Sequence, residues 1–197
     1  MINKEDKILV KKCLSGNSKA QKELYDRFSK DMFRVCLSYA ADYENANDLL
    51  QEGFLKVFKN LHKYKSTGPL GGWIRQVIVN SCIDIYRKSA QRSQEVNIDD
   101  EQFIESKVVS INNIETHFDT ADFLLIIKDL PVGYRIVLNL YYLEEYKHKE
   151  IAEKLDITVG TSKSQLSKAK RYLKKILVNT LSEEELSKYE RLDKRVV

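Results

Sequence analysis

Apolar residues along this chain recur mostly at steps of three and four, the period of a helix with one buried face. Between positions 7 and 40 they fall at Ile8, Leu9 and Leu14, then at Leu24, Tyr25, Phe28, Met32, Val35, Cys36 and Tyr39. This predicts amphipathic helices broken near Ser15-Gly16-Asn17-Ser18. A third helix is expected over about 45–64, with Leu50, Phe54, Val57, Phe58 and Leu61 on one face. The stretch 65–72 contains Gly68, Pro69, Gly71 and Gly72 and reads as a loop. A fourth helix is expected over about 73–88, with Ile74, Val77, Ile78, Cys82, Ile83 and Ile85 as its apolar positions. From 93 to about 117 no period holds. The helical pattern resumes near Thr120, with helices expected at roughly 120–129, 132–143, 147–155 and 159–177. The expectation is an all-α chain: two small helical domains over 1–92 and 120–180, a linker over 93–119, and a charged tail over 181–197.

Composition narrows the class. With 7 Gly and 2 Pro in 197 residues, collagen-like and proline-rich readings are excluded. No apolar run reaches the ~18 residues a membrane span requires, so no membrane insertion is expected. The opening Met1-Ile2-Asn3-Lys4-Glu5-Asp6 lacks the apolar core of a signal peptide, which predicts a cytoplasmic protein. Cys13, Cys36 and Cys82 are scattered and odd in number, which predicts buried reduced thiols and neither a disulfide frame nor a zinc site.

Charge is distributed unevenly. Residues 1–92 carry 17 basic and 10 acidic side chains, 93–122 carry 1 and 8, and 123–197 carry 15 and 11. Two basic blocks thus flank an acidic linker and suggest polyanion contacts at two places. The thirty residues 93–122 would span about 100 Å fully extended but average only about 30 Å as a free coil.

The strongest local pattern lies at 149–166. Ile151 and Leu155 are four apart, Ala152 is small enough for a close helix crossing, and Asp156 stands where the chain must turn sharply. Asp tolerates the left-handed conformation better than most residues. Thr158 is a good N-cap for the following helix. Leu166, Ala169, Leu173 and Ile176 form its expected buried stripe. The opposite face holds Gly160, Lys163, Ser164, Ser167, Lys168 and Arg171. Short polar side chains let a helix backbone approach a major groove, while cations and hydroxyls reach phosphates and base edges. Residues 147–175 hold 9 basic and 3 acidic side chains, so this helix-turn-helix is expected to bind DNA.

Three separated motifs resemble the sigma-70 family of RNA polymerase sigma factors, extracytoplasmic-function group. Asn47-Asp48-Leu49-Leu50-Gln51-Glu52-Gly53-Phe54 is similar to its region 2.2. Gly72-Trp73-Ile74-Arg75-Gln76-Val77-Ile78-Val79-Asn80, followed by Asp84-Ile85-Tyr86-Arg87-Lys88, is similar to region 2.4. Leu130-Pro131-Val132-Gly133-Tyr134-Arg135-Ile136-Val137-Leu138, then Glu150-Ile151-Ala152 and Gly160-Thr161-Ser162-Lys163-Ser164, is similar to region 4. The resemblance covers about residues 5–178 and implies binding of core RNA polymerase and recognition and opening of promoter DNA.

It also implies roles for particular residues. Asp48, Gln51 and Glu52 would dock on the β′ coiled coil of core polymerase, and region 4 would sit on the β flap. Tyr64, Lys65, Arg75, Gln76, Asn80, Arg87 and Lys88 would contact the −10 element, with the loop after Tyr64 trapping an unstacked base. Trp73 is expected to belong to the core. Gly160, Thr161, Lys163, Ser164, Ser167, Lys168 and Arg171 would contact the −35 element. The chain departs from the family pattern in the loop, where Gly68-Pro69-Leu70-Gly71 stand in place of polar residues, and in region 4, where Asp156 replaces the usual Gly and Ser162 an apolar residue, changes expected to loosen the turn. The acidic linker would thread a positively charged polymerase channel. An anti-sigma factor is an expected further partner.

No catalytic constellation, phosphate loop or metal-ligand spacing appears, and His62, His117 and His148 stand isolated in the sequence. The expectation is a non-enzyme without metal or cofactor. The rival reading is a helix-turn-helix regulator with a helical sensor domain, which would act without core polymerase, usually as a dimer on a palindrome.

Overall fold

The computed structural model describes residues 4–92, 127 and 130–180. The acidic linker, the tail and, apart from buried Ile127, the helix expected over 120–129 lie outside them. The chain divides into two units, Met1–Ser89 and Ala90–Val197. Every described element is helical.

The first unit contains α1 (Lys4–Leu14), α2 (Ser18–Tyr39), α3 (Tyr43–Asn60), a single 3-10 turn (Leu61–Lys63) and all but the last residues of α4 (Leu70–Arg92). The expected break after α1 is a left-handed cap. Gly16 takes φ +79°, and the Gly16 and Asn17 amides donate to the Cys13 and Lys12 carbonyls at 3.1 and 3.2 Å. Only glycine adopts that conformation without steric cost. Asn17 then caps α2, its side chain accepting from the Ala20 amide at 3.0 Å. Asp42 caps α3 likewise through the Asn45 amide at 2.8 Å, so α3 begins two residues before the hydrophobic pattern indicated.

The expected loop over 65–72 is shorter than its glycines suggested. Helix α4 begins at Leu70, and its first bond runs from the Trp73 amide to the Pro69 carbonyl at 3.2 Å. Full burial of Leu70 favours helix over loop here, and a side chain at Gly71 would press on Phe28 at 3.1 Å. The core gathers Leu24 and Cys36 from α2, Phe54 and Val57 from α3, Leu61, and Ile74, Ile78 and Cys82 from α4. Each large apolar side chain removed from water contributes about 1.5–3 kcal/mol. All three cysteines are free and buried, as their spacing indicated.

The second unit contains α5 (Val132–Tyr142), α6 (His148–Leu155) and α7 (Val159–Thr180), each packed on the other two. Val137 and Leu140 of α5, Ile151 of α6 and Ala169 of α7 are fully buried. The inner stripe of α7 differs from expectation: Tyr172 is buried while Leu173 is only half-buried.

Candidate nucleic-acid interface

The turn between α6 and α7 is built from the residues its sequence singled out. Asp156 takes the left-handed conformation at φ 58°, ψ 45°, and the Ile157 amide returns to the Ala152 carbonyl at 3.1 Å. Thr158 Oγ1 accepts from the Thr161 amide at 3.0 Å, capping α7. At the other end of α6 the Glu150 carboxylate accepts from the Lys147 amide at 2.7 Å. Buried Ile151, Ala152 and Leu155 hold α6 against its neighbours.

This geometry fixes what α7 displays. Gly160, Lys163, Ser164, Ser167, Lys168 and Arg171 are all exposed and fall at the i, i+3, i+4, i+7, i+8, i+11 spacing of one stripe. Thr161 is half-buried and engaged with Thr158. The Ser164 hydroxyl donates to the Thr161 carbonyl at 3.0 Å. Lys168 lies over the Tyr134 ring at 5.7 Å. Two further lysines lie over tyrosines, Lys154 on Tyr146 at 4.7 Å and Lys170 on Tyr142 at 5.5 Å. Three cation–π contacts of this kind anchor lysine stems on the unit's surface.

The Ser162 hydroxyl is not left unpaired. The residue is fully buried, and its hydroxyl is 2.9 Å from His148 Nδ1. His148, isolated in the sequence, thus has a partner on α7 and stacks on Tyr141 of α5 with ring centroids 4.9 Å apart. Burial, and then the charge of Lys163, hold its pKa below the usual histidine range.

In the first unit, Asp48, Gln51 and Glu52 are exposed on one turn of α3. Sequence reasoning missed their neighbour Leu55, one turn further along the same stripe and 65% exposed. Its omission from the apolar face of α3 was the available signal.

The residues proposed for the −10 element separate into three groups. Gln76, Asn80 and Arg87 share one stripe along α4, headed by Trp73, at about 100° per residue. Arg75 lies about a third of a turn to one side of that stripe, and exposed Lys88 about as far to the other. Arg75 and Asn80 are half-buried and have partners of their own. Asp84, on the outer side of α4, is paired with Lys56 of α3 at 2.9 Å. In the loop, Lys65 is exposed, whereas Tyr64 is half-buried and donates its hydroxyl to the Gly68 carbonyl at 2.6 Å. Burial, then nearby Asp6, push the Tyr64 phenol up, against a lowering contribution from Ser66. Trp73 packs on the Tyr64 ring at 5.6 Å and is half-buried, so it is not the core residue expected. Ser66, at φ 54°, gives the loop its sharp turn.

Among the described residues no group of His, Cys, Asp and Glu is placed to hold a metal, and no helix is long and apolar enough to cross a membrane.

A cationic, short-side-chain face on the second helix of a helix-turn-helix is the geometry of a DNA-binding protein. Comparison with known proteins extends this. The family models for sigma-70 region 2 and sigma-70 region 4 match residues 24–92 and 121–173. The ECF RNA polymerase sigma factor SigM of Bacillus subtilis (strain 168) is 30% identical over 163 residues, which cover 82% of this chain and 98% of that protein. The ECF RNA polymerase sigma factor SigW of the same organism is 24% identical over 186 residues, covering 85% and 94%. Among solved structures, the sigma factor RpoE in complex with the anti-sigma factor NepR from Bartonella quintana is similar at 19% identity and TM-score 0.47, covering 79% and 95%.

The chain belongs to the sigma-70 family of RNA polymerase sigma factors, in the extracytoplasmic-function group. It is an initiation factor that works with core RNA polymerase at promoter DNA, and the free-standing regulator is not favoured. Its family is one of non-enzymatic transcription factors.

Proposed function

We propose that the two units divide promoter recognition between them: the stripe on α7 reads the −35 element, and α4 with the loop after Tyr64 engages the −10 element. The observation that carries this reading is the run of Gly160, Lys163, Ser164, Ser167, Lys168 and Arg171 along one exposed face. Lys163, Lys168 and Arg171 bring cations to phosphates or base acceptors. Gly160 and Ser164 keep the backbone close to the groove, and Thr161 stands at the helix N-terminus, where amide donors and the dipole favour a phosphate. In the first unit, Gln76 and Asn80 supply amides for base edges, and Lys65, Arg87 and Lys88 supply charge. Opening the duplex costs a few kcal/mol per extruded base, and stacking on an aromatic returns about 1–3 kcal/mol. The Tyr64–Trp73 pair beside the loop is a surface of that kind.

In this reading Asp48, Gln51 and Glu52 dock on the β′ coiled coil, with the second unit on the β flap. Nucleotide chemistry is left to core polymerase, and the protein acts in the cytoplasm. An anti-sigma factor, where one acts, has to cover one of these faces to silence the protein.

Run-off transcription with core polymerase on genomic fragments, with start sites mapped, tests the assignment. Lys163→Glu with Lys168→Glu should lower transcription at least about tenfold, because a good base contact is worth about 1–3 kcal/mol. The loss should be smaller on a template whose −35 element is scrambled, where only sequence-independent phosphate attraction is left to lose. Asp48→Ala with Glu52→Ala should instead weaken capture of core polymerase. Equal transcription by both double variants and the parent would sink the reading.

A further inference from the structure

The stripe on the outside of α7 leaves Ser162, on its inner side, unexplained. A fully buried hydroxyl is costly unless it is bonded. Its partner, His148, opens α6, while Ser162 lies in the first turns of α7. The same imidazole stacks on Tyr141 of α5 at an interplanar angle of 28°. One ring therefore touches all three helices of the second unit, at the point where the groove-facing helix begins.

We propose that His148 is the positioning residue of α7: its bond to the buried Ser162 hydroxyl seats the first turns of that helix and so sets the aim of Gly160, Lys163 and Ser164. The proposal rests on the reading of α7 as the −35 reader. In the neutral ring, Nδ1 either accepts from the Ser162 hydroxyl or donates to it. In the protonated ring both nitrogens donate, so the first arrangement is lost. The groups facing the ring are Tyr141 from α5 and Ser162 and Lys163 from α7, and Lys147 and Lys149 flank it along its own chain. A proton there adds a second positive charge beside Lys163.

Burial and Lys163 lower the ring's pKa from 6.5, so the unfolded segment binds the proton more readily. The seating is fully present above that unperturbed value and weakens as pH falls through the lower folded value.

Three variants of the full chain test this. His148→Asn places an amide near the Nδ1 position and keeps a bond without titrating, whereas His148→Ala and Ser162→Ala remove the bond. Hydrogen exchange of the α7 amides over 159–172, corrected for intrinsic rates, is compared at about pH 7.5 and about pH 5.5. Exchange in the parent should quicken at the lower pH by about threefold or more, stay level in His148→Asn, and be fast at both in His148→Ala. In run-off transcription with core polymerase, preference for an intact over a scrambled −35 element should fall about fivefold in His148→Ala and Ser162→Ala and hold within about twofold in His148→Asn. The proposal is overturned if His148→Ala matches the parent in both assays, if His148→Asn fails as badly as His148→Ala, or if the parent and His148→Asn respond equally to acid. A parent without any −35 preference would instead sink the assignment of α7, and the exchange measurement would still decide whether His148 seats the helix.

Discussion

At the scale of single residues, the turn at Asp156 and Thr158 carries most of the local specification of the second unit. A non-glycine residue at φ 58° is strained unless its side chain tolerates the left-handed region. Asp156→Val should therefore destabilise the unit by about 1–2 kcal/mol, while Asp156→Gly should be neutral or slightly stabilising. Thr158→Ala removes the acceptor for the Thr161 amide and should cost about 1 kcal/mol. Local hydrogen exchange over 150–166 measures both. These two residues were legible in the sequence because caps and turns are local chemistry. The bond between His148 and Ser162 was not, because its partners stand 14 residues apart and each looks unremarkable alone. Ser162 stood out only as a polar residue where the family carries an apolar one, and its partner cancels the penalty that substitution would otherwise bring.

At the scale of elements, α3 and α4 cross at Gly53. A Cβ placed there would meet Ile78 Cγ1 at 2.9 Å, and that atom lies in mid side chain, where it has little room to yield. Gly53→Ala should lower stability by about 1–2 kcal/mol even after the gain of about 1 kcal/mol in helix propensity, and in an Ile78→Ala background, itself about 2–5 kcal/mol less stable, that added cost should shrink. Thermal unfolding of the single and double variants decides the point. The helices were legible from period three-to-four patterning; their ends were less so. Helix α4 starts at Leu70 because a buried leucine and the Pro69 carbonyl outweigh the two glycines that follow, a contest that residue propensities alone do not settle. Trp73 was misplaced for a related reason. It was expected in the core, but its position on α4 puts it on the outer stripe against Tyr64.

At the scale of the molecule, the three thiols report on the integrity of the first unit. Contact with Cys36, and then burial, push the Cys82 thiol well above its ordinary value of 9.0, and burial, then Glu23, raise Cys13 as well. Because these folded values lie above the unfolded ones, Cys82 and Cys13 support stability below about pH 9 and withdraw that support as pH rises further. A disulfide reagent near neutral pH should react slowly with the native protein and reach three thiols only after denaturation. Fast reaction at native pH would contradict the buried placement. Promoter binding in the proposed division of labour should also weaken steeply with salt, because each phosphate the protein neutralises adds about 0.9 to the steepness of the log–log plot of affinity against salt. Removing one phosphate-binding lysine should flatten that plot by the same amount.

The chain's period, its breaks, its alternating charge and its three separated motifs determined by themselves that it is helical, that it has two basic ends, and which family it resembles. These are properties of neighbours along the chain, and neighbours are what a sequence displays. The tertiary structure alone decided that His148 and Ser162 meet, that Gly53 lies under Ile78, and that Tyr172 fills the second core. Each of these depends on side chains from different helices arriving at one place, and burial assigns a cost to a polar atom or a missing methylene only once that arrival has occurred.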